Sequence, residues 1–256
     1  MSTDSTELRR DSTERFSTRV EHYVRYRPGY PEQILALLER QCALTPDSVV
    51  ADVGSGTGIL SELFLKNGNP VYAVEPNREM RQAGERLLAA YPDFHSVDGR
   101  AESLPLESAS ADFVVVGTAF HWFDRDLCRQ EFARILRPEG WAAIIYNTRR
   151  MTGKPFLETY ESLLQRYGRD YVAVGRRWPG EDGFRAFFAP GVHRLQKYDN
   201  VQALDFEGLR GRILSASYMP DEGDTNYSPM IEEMRRVFDA HQVGGAVTLE
   251  YDTEVY

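Results

Sequence analysis

Three glycines, Gly54, Gly56 and Gly58, stand at every second position of the stretch VVADVGSGTGILSELF between Val49 and Phe64. Glycine costs conformational entropy in strand and helix alike, so this cluster points to a backbone that turns sharply and comes close to a ligand. Further along, the run VYAVEPN ends in Glu75, 21 residues after the first glycine. A carboxylate at a strand end can accept both hydroxyls of a ribose in charge-assisted hydrogen bonds. A third group, GTAFHWFD, brings Thr118, Phe120, His121 and Trp122 together. Imidazole titrates near neutrality, so His121 is a candidate base. The glycine turn and the acidic strand end together point to a ribose-containing ligand.

The spacing also excludes ligands. A dinucleotide fingerprint reads G-x-G-x-x-G, and the residue standing for its third glycine is Ile59. The loop lacks the Lys-Ser/Thr pair of a phosphate-binding loop, so a pyrophosphate is not the preferred guest. Ile59 and the run Glu75-Pro76-Asn77 likewise argue against a nicotinamide-dependent oxidoreductase.

The elements that must position these residues follow from patterning. Apolar runs over 48–53, 70–75, 94–97, 112–117 and 141–147 read as strands, and 193–198 and 247–256 as two more. Helical patterns cover 58–67, 78–91 and 125–136, and the third and fourth strands are bridged by a loop with a weaker helical signal. The alternation predicts an α/β fold: a Rossmann-like, doubly wound, three-layer sandwich on a mostly parallel seven-stranded sheet. The segments LDFEGLRGRILSASYMP and YSPMIEEMRRVFDAHQ are helical in pattern. They are expected to join the last two strands as an insertion over the sheet's carboxyl edge. The chain reads as a single domain with an N-terminal cap over 1–30, a core over 31–200 and 246–256, and a helical insertion over 204–245.

Composition bounds the partners. The 256 residues are 42% apolar, enough for a substantial core, and carry a formal charge of −9. That charge and the scattered arginine pairs disfavour nucleic acid. No apolar run is long enough to span a bilayer, and the polar start MSTDSTELRRDSTERFS does not read as a signal peptide. Cys42 and Cys128 have no metal-ligand spacing. A cytoplasmic protein, monomer or homodimer, without a metal and without a membrane partner, is expected.

ADVGSGTGILS, AVEPNREM and DGRAESLPLESASADFVVVGTAFHWF, in that order, resemble the class I methyltransferases that use S-adenosylmethionine. YVRYRPGYP and HWF further resemble the small-molecule branch that includes trans-aconitate methyltransferase-like (methyltransferase type 11) proteins. The resemblance implies that Gly54, Ser55 and Gly56 present backbone to the cofactor's methionine part, with Asp52 on its amino group. It implies that Glu75 grips the ribose, that Pro76 and Met80 flank the adenine, and that Ala101 and Glu102 meet its edge. Arg100 stands where many relatives carry an Asp, leaving Glu102 or Asp98 to take that role. Thr118, Ala119 and Phe120 would lie beneath the sulfonium, with His121 and Trp122 turned toward the acceptor. In the resembling proteins the segment holding Tyr23, Tyr26, Arg27 and Tyr30 folds over the cofactor. There Arg27 would pair with the cofactor's carboxylate or with an acidic substrate, Tyr23 and Tyr26 would line the acceptor pocket, and Tyr218 would form a further wall.

The activity implied is in-line transfer of a methyl group to a small-molecule acceptor, with S-adenosylhomocysteine as product and no metal. A sulfonium already activates the methyl group, so alignment and water exclusion carry most of the acceleration, on the order of 7–11 kcal/mol for well-oriented reactants. The alternative is a protein that binds the same cofactor without turnover.

Overall fold

The computed structural model of the chain describes residues 19–256. The first eighteen residues, which hold most of the expected N-terminal cap, lie outside the described residues. Helices α1 (Val20–Tyr26) and α2 (Gln33–Cys42) precede β1 (Val50–Val53), and α3 (Ile59–Lys66) leads to β2 (Val71–Val74). Helix α4 (Arg78–Leu87) and strands β3 (Phe94–Val97) and β4 (Ala111–Gly117) follow, then α5 (Arg125–Ile135) and β5 (Leu136–Arg149). Three helices, α6 (Pro155–Tyr167), α7 (Tyr171–Gly175) and α8 (Gly180–Phe188), come before β6 (Gln196–Leu204). Helices α9 (Phe206–Leu214) and α10 (Tyr227–His241) then connect to β7 (Val247–Val255).

The strands form a seven-stranded sheet in the order β3-β2-β1-β4-β5-β7-β6. Pairing is parallel from β3 through β5, and β7 runs antiparallel to both of its neighbours. Strand residues alternate between the two faces. Phe113 and Val115 join the core beneath α2 and α3, with Ile34, Leu60 and Phe64. Val114 and Val116 join the opposite core, with Phe132 and Ile135 of α5. Apolar residues on both faces are the signature of a parallel sheet covered on two sides. A third core lies under the insertion, where Leu157, Tyr160, Leu209, Ile213 and Met234 pack together beside Leu249 and Tyr251 of β7.

Side chains that cap the helices fix where several of them begin. The Asn77 Oδ1 accepts from Met80 N at 2.9 Å, and the Asp205 Oδ1 accepts from Gly208 N at 2.7 Å. Both helices therefore start directly after a strand, at the sheet's carboxyl edge.

The segment between β3 and β4 is a loop, as expected, with turns closed by an Arg100–Ser103 bridge. The structure departs from the sequence expectation in the second half of the chain. Strand β6 begins at Gln196 and continues to Leu204, well past the expected 193–198, because it pairs with β7 along its whole length. Helices α6 to α8 were not anticipated, although Pro155 at the first helical position and the apolar set Phe156, Leu157, Tyr160, Leu163 and Leu164 signal α6 clearly.

Candidate active site

The turn after β1 takes the left-handed conformation that glycine tolerates, with φ of 71° at Gly54, 59° at Gly56 and 83° at Gly58. A Cβ on Gly54 would stand 2.8 Å from the Ala119 Cβ and 2.9 Å from the Phe123 ring, so sterics as well as φ require glycine there. Gly54 N and Ser55 N donate to Val74 O at 2.8 and 3.2 Å, clamping the turn to the end of β2.

Glu75 follows directly and is nearly buried. Its Oε2 accepts from Gly56 N at 2.9 Å and its Oε1 from Asn77 N at 2.8 Å. Burial pushes its carboxyl above the usual range, and these two amide bonds oppose the shift. Each carboxylate oxygen keeps a second lone pair, so two further donors, such as vicinal hydroxyls, can be received.

Around this turn lie two adjoining cavities. The larger, about 330 Å³, is lined by Gly54, Gly56, Glu75, Pro76, Met80, Ala101, Glu102, Thr118, Ala119 and Trp122. The smaller, about 50 Å³, is lined by Arg27, Asp52, Ser55, Tyr30, Asn147 and Arg212. Tyr23, Gly54, Gly117 and Thr118 border both. Thr118 sits at φ 54°, and its hydroxyl lies 3.1 Å from the Tyr30 hydroxyl.

Asp52 is fully buried at the end of β1. Its Oδ2 accepts from Ser61 Oγ at 2.6 Å, while its Oδ1 has no hydrogen-bond partner among the described residues. Burial pushes the carboxyl up to about 7; the Ser61 bond opposes this and the Glu75 charge adds to it. An orphaned buried carboxylate oxygen fits a cationic donor such as an ammonium group.

Several residues expected at the site are engaged elsewhere. Phe120 is fully buried, and its ring packs on Phe184, Phe187 and Phe123 at centroid separations of 5.9, 4.6 and 6.1 Å, lining neither cavity. The 3₁₀ turn over Phe120–Trp122 rotates it into the core, where its apolar area is best buried. Tyr26 points away as well, its ring filling the space that a Cβ on Gly211 would need. Tyr218 lies 5.0 Å from Tyr171, centroid to centroid, against the insertion core, and lines neither cavity. His121 also stands outside both linings, with its Nδ1 3.4 Å from the Tyr146 hydroxyl. Burial, together with the charges of Arg177 and Arg27, pushes its imidazole down to about 3, which makes it a poor proton acceptor. Glu102 does border the large cavity, but its Oε1 accepts from Asp124 N at 2.9 Å. Asp98 pairs with Arg81 at 2.9 Å on the surface.

Asn77 and Phe123 line the large cavity, and Asn147 and Arg212 the small one, without having been assigned a site role from sequence; Arg100 joins the large lining, and Tyr30, expected only within the covering segment, joins the small one. Tyr30 and Arg100 carried a signal in their motifs. Arg212 carried none, being an arginine within a helical pattern.

The sheet order, the antiparallel β7 and the glycine turn facing an acidic strand end define the class I methyltransferase fold. Residues 51–144 match the family model of the methyltransferase domain. Over 141 residues the chain is 38% identical to an uncharacterized methyltransferase of Mycobacterium tuberculosis, a match that spans little more than half of each protein, 55%. It is 27% identical over 250 residues to an uncharacterized methyltransferase-like protein of Schizosaccharomyces pombe, covering 94% of this chain and 93% of that one. Among solved structures, a protein of Anaeromyxobacter dehalogenans described as a type II methyltransferase superposes with a TM-score of 0.64 at 19% identity, over 90% of this chain and 97% of its own.

Proposed function

We propose that this protein is an S-adenosylmethionine-dependent methyltransferase acting on a small-molecule acceptor in the cytoplasm. The observation that carries the reading is the pair of adjoining cavities around one glycine turn. The outer one presents Glu75 with free lone pairs. The inner one presents Asp52 with an orphaned oxygen.

The residues present fit the cofactor. Glu75 receives the ribose hydroxyls, and Pro76, Met80 and Ala101 flank the base. Asp52 holds the amino group, and Arg27 the carboxylate. Bound S-adenosylmethionine would supply a methyl group already activated by its sulfonium, the sulfur keeping the electron pair as the acceptor's lone pair forms the new bond. The protein's own contribution is alignment and exclusion of water. Helices α1 and α9 close over the inner cavity: Arg19 donates to Leu214 O, Ala216 O and Met219 O at 2.8, 2.9 and 2.7 Å, tying the two together. No histidine lines either cavity among the described residues, which favours an acceptor whose nucleophile is already deprotonated. A small acceptor agrees with the limited volume of the chambers and with the net charge of −9, which disfavours nucleic acid.

Isothermal titration with S-adenosylmethionine, S-adenosylhomocysteine and NADH tests the reading. Micromolar binding of the two sulfur ligands and none of NADH is expected. Glu75→Gln should weaken binding by about 1.5–3 kcal/mol, the range for hydrogen bonds to charged groups. A folded protein that binds neither sulfur ligand would overturn the assignment, and unchanged affinity in the variant would remove Glu75 from the ribose site.

A further inference from the structure

Residues 98–110 join β3 to β4, and the first turn of this loop enters the wall of the outer cavity. Arg100, Ala101 and Glu102 line that cavity beside Pro76 and Met80. The rest of the loop lies along α5 and is tied to it from end to end. At the start of the helix, Asp124 N donates to Glu102 Oε1 at 2.9 Å. At its end, Ala109 N and Ser110 N donate to Arg134 O and Ile135 O at 2.9 and 2.8 Å. Between these ties, two side chains of α5 grip the middle of the loop. Glu131 Oε2 accepts from Leu104 N at 2.7 Å, and Arg134 Nη2 donates to Leu104 O at 2.8 Å. Arg134 Nη1 donates to Leu106 O, also at 2.8 Å.

Glu131 and Arg134 are joined to each other as well, Arg134 Nε donating to Oε1 at 2.8 Å and Nη2 to Oε2 at 2.7 Å. Arg134 holds the Glu131 carboxyl below its ordinary range, so the clamp is charged at neutral pH. The planar guanidinium fixes the angles among these bonds, which an ammonium group cannot reproduce. Neither residue lines a cavity. What they hold is passed inward by the loop. The Leu104 side chain is buried in the same core as Val114 and Phe132. Pro105 backs onto Gly99, where a Cβ would stand 2.5 Å from the proline Cδ and 3.0 Å from Val74 Cγ1. Ser103 N donates to Arg100 O at 3.1 Å, closing the turn that carries Ala101 and Glu102. A shift at Leu104 or Pro105 therefore moves the cavity wall.

A half-exposed ion pair returns little stability of its own, and ordering two long side chains costs entropy. A wall already held in place removes an ordering cost from ligand binding. We propose that Glu131 and Arg134 are positioning residues for the cofactor's base: by gripping both backbone groups of Leu104 they set the depth of the Arg100–Glu102 wall, and with it the selectivity for the base. This inference rests on the methyltransferase reading above, which sets the base against Pro76, Met80 and Ala101.

Selectivity for the base is the readout, because a merely structural brace would leave it unchanged. Wild-type protein is titrated with S-adenosylhomocysteine and with S-inosylhomocysteine, whose base carries an oxygen in place of the amino group and a proton on the adjacent ring nitrogen. No binding of S-adenosylhomocysteine would overturn the methyltransferase reading itself. The adenine ligand is expected to bind about tenfold more tightly than the hypoxanthine one, the size of one hydrogen bond lost at the base edge. Arg134→Lys and Glu131→Gln, which break the fork, are expected to narrow that ratio to about threefold or less, chiefly by weakening S-adenosylhomocysteine. Equal affinities in a wild-type protein that binds S-adenosylhomocysteine would overturn the proposal while leaving the methyltransferase reading intact, even if a variant failed to fold. So would the wild-type ratio retained in either folded variant, with or without a fall in Tm, which would make the clamp a brace for α5 alone.

Discussion

At the scale of single residues, Asp52 and His121 carry opposite consequences of the same cause. Burial disfavours the charged form of each, raising the Asp52 carboxyl to about 7 and lowering the His121 imidazole to about 3. Asp52 titrates near neutrality in the folded protein but near 4 in an unfolded chain. Its ionisation therefore costs the empty fold stability progressively as pH rises from about 4 to about 7. An ammonium group beside it reverses that preference. Affinity for S-adenosylhomocysteine should accordingly weaken as pH falls through 7, and Asp52→Asn should flatten the dependence. His121 is neutral throughout that range, so His121→Gln should leave both the pH profile of kcat and that of binding without a lost limb between 6 and 7. Titration and rate measurements from pH 5.5 to 8.5 on the three proteins check this, and a limb near 6.5 abolished by His121→Gln would restore the histidine as a base.

Between elements, the decisive contact joins α1 to α9. A Cβ on Gly211 would fall 2.0 Å from the Tyr26 ring, so the helices approach closely only because position 211 is glycine. The Gln202 side chain adds a hydrogen bond to Tyr26 O at 2.9 Å. The contact holds Tyr23 and Arg27 over the cavities, which explains why an aromatic expected to line a pocket serves as a spacer. Gly211→Ala should force the pair apart, at about 1–3 kcal/mol for overpacking of a tight contact. It should also weaken binding of S-adenosylhomocysteine, because Tyr23 and Arg27 move with α1. Urea unfolding and titration on the same sample measure both. Unchanged stability together with unchanged affinity would show that this contact does not hold the lid.

Over the whole molecule, the two cavities sit where the carboxyl ends of β1, β2, β4 and β5 meet the segment after α1 and helix α9. A ligand that binds only this assembled state stabilises all of it, by about 2.7 kcal/mol at a concentration one hundred times Kd. For a chain of this size, that corresponds to a rise in Tm of roughly 5–11 °C. Thermal denaturation with and without S-adenosylhomocysteine is expected to show this shift as one transition. A shift confined to a separate, earlier transition would mean that the lid unfolds apart from the sheet.

What was legible in the sequence and what was not divides along the range of the forces involved. The strands β1 to β5, the glycine turn and Glu75 at the end of β2 follow from periodicity and turn chemistry, which act over a few residues and are written locally. The start of α6 was equally local, in Pro155 and its apolar stripe. The direction of a side chain on a turn, as for Phe120, depends on which core is near enough to receive it. The meeting of Arg27 with Ser215 and Arg212 spans 188 and 185 positions of sequence, and the low basicity of His121 arises from burial and distant arginines. Local residue order determined the scaffold and its glycine turn, whereas the contact of α1 with α9, the meeting of Arg27 with Ser215 and the titration of Asp52 and His121 exist only once long-range packing has removed water and brought remote groups together.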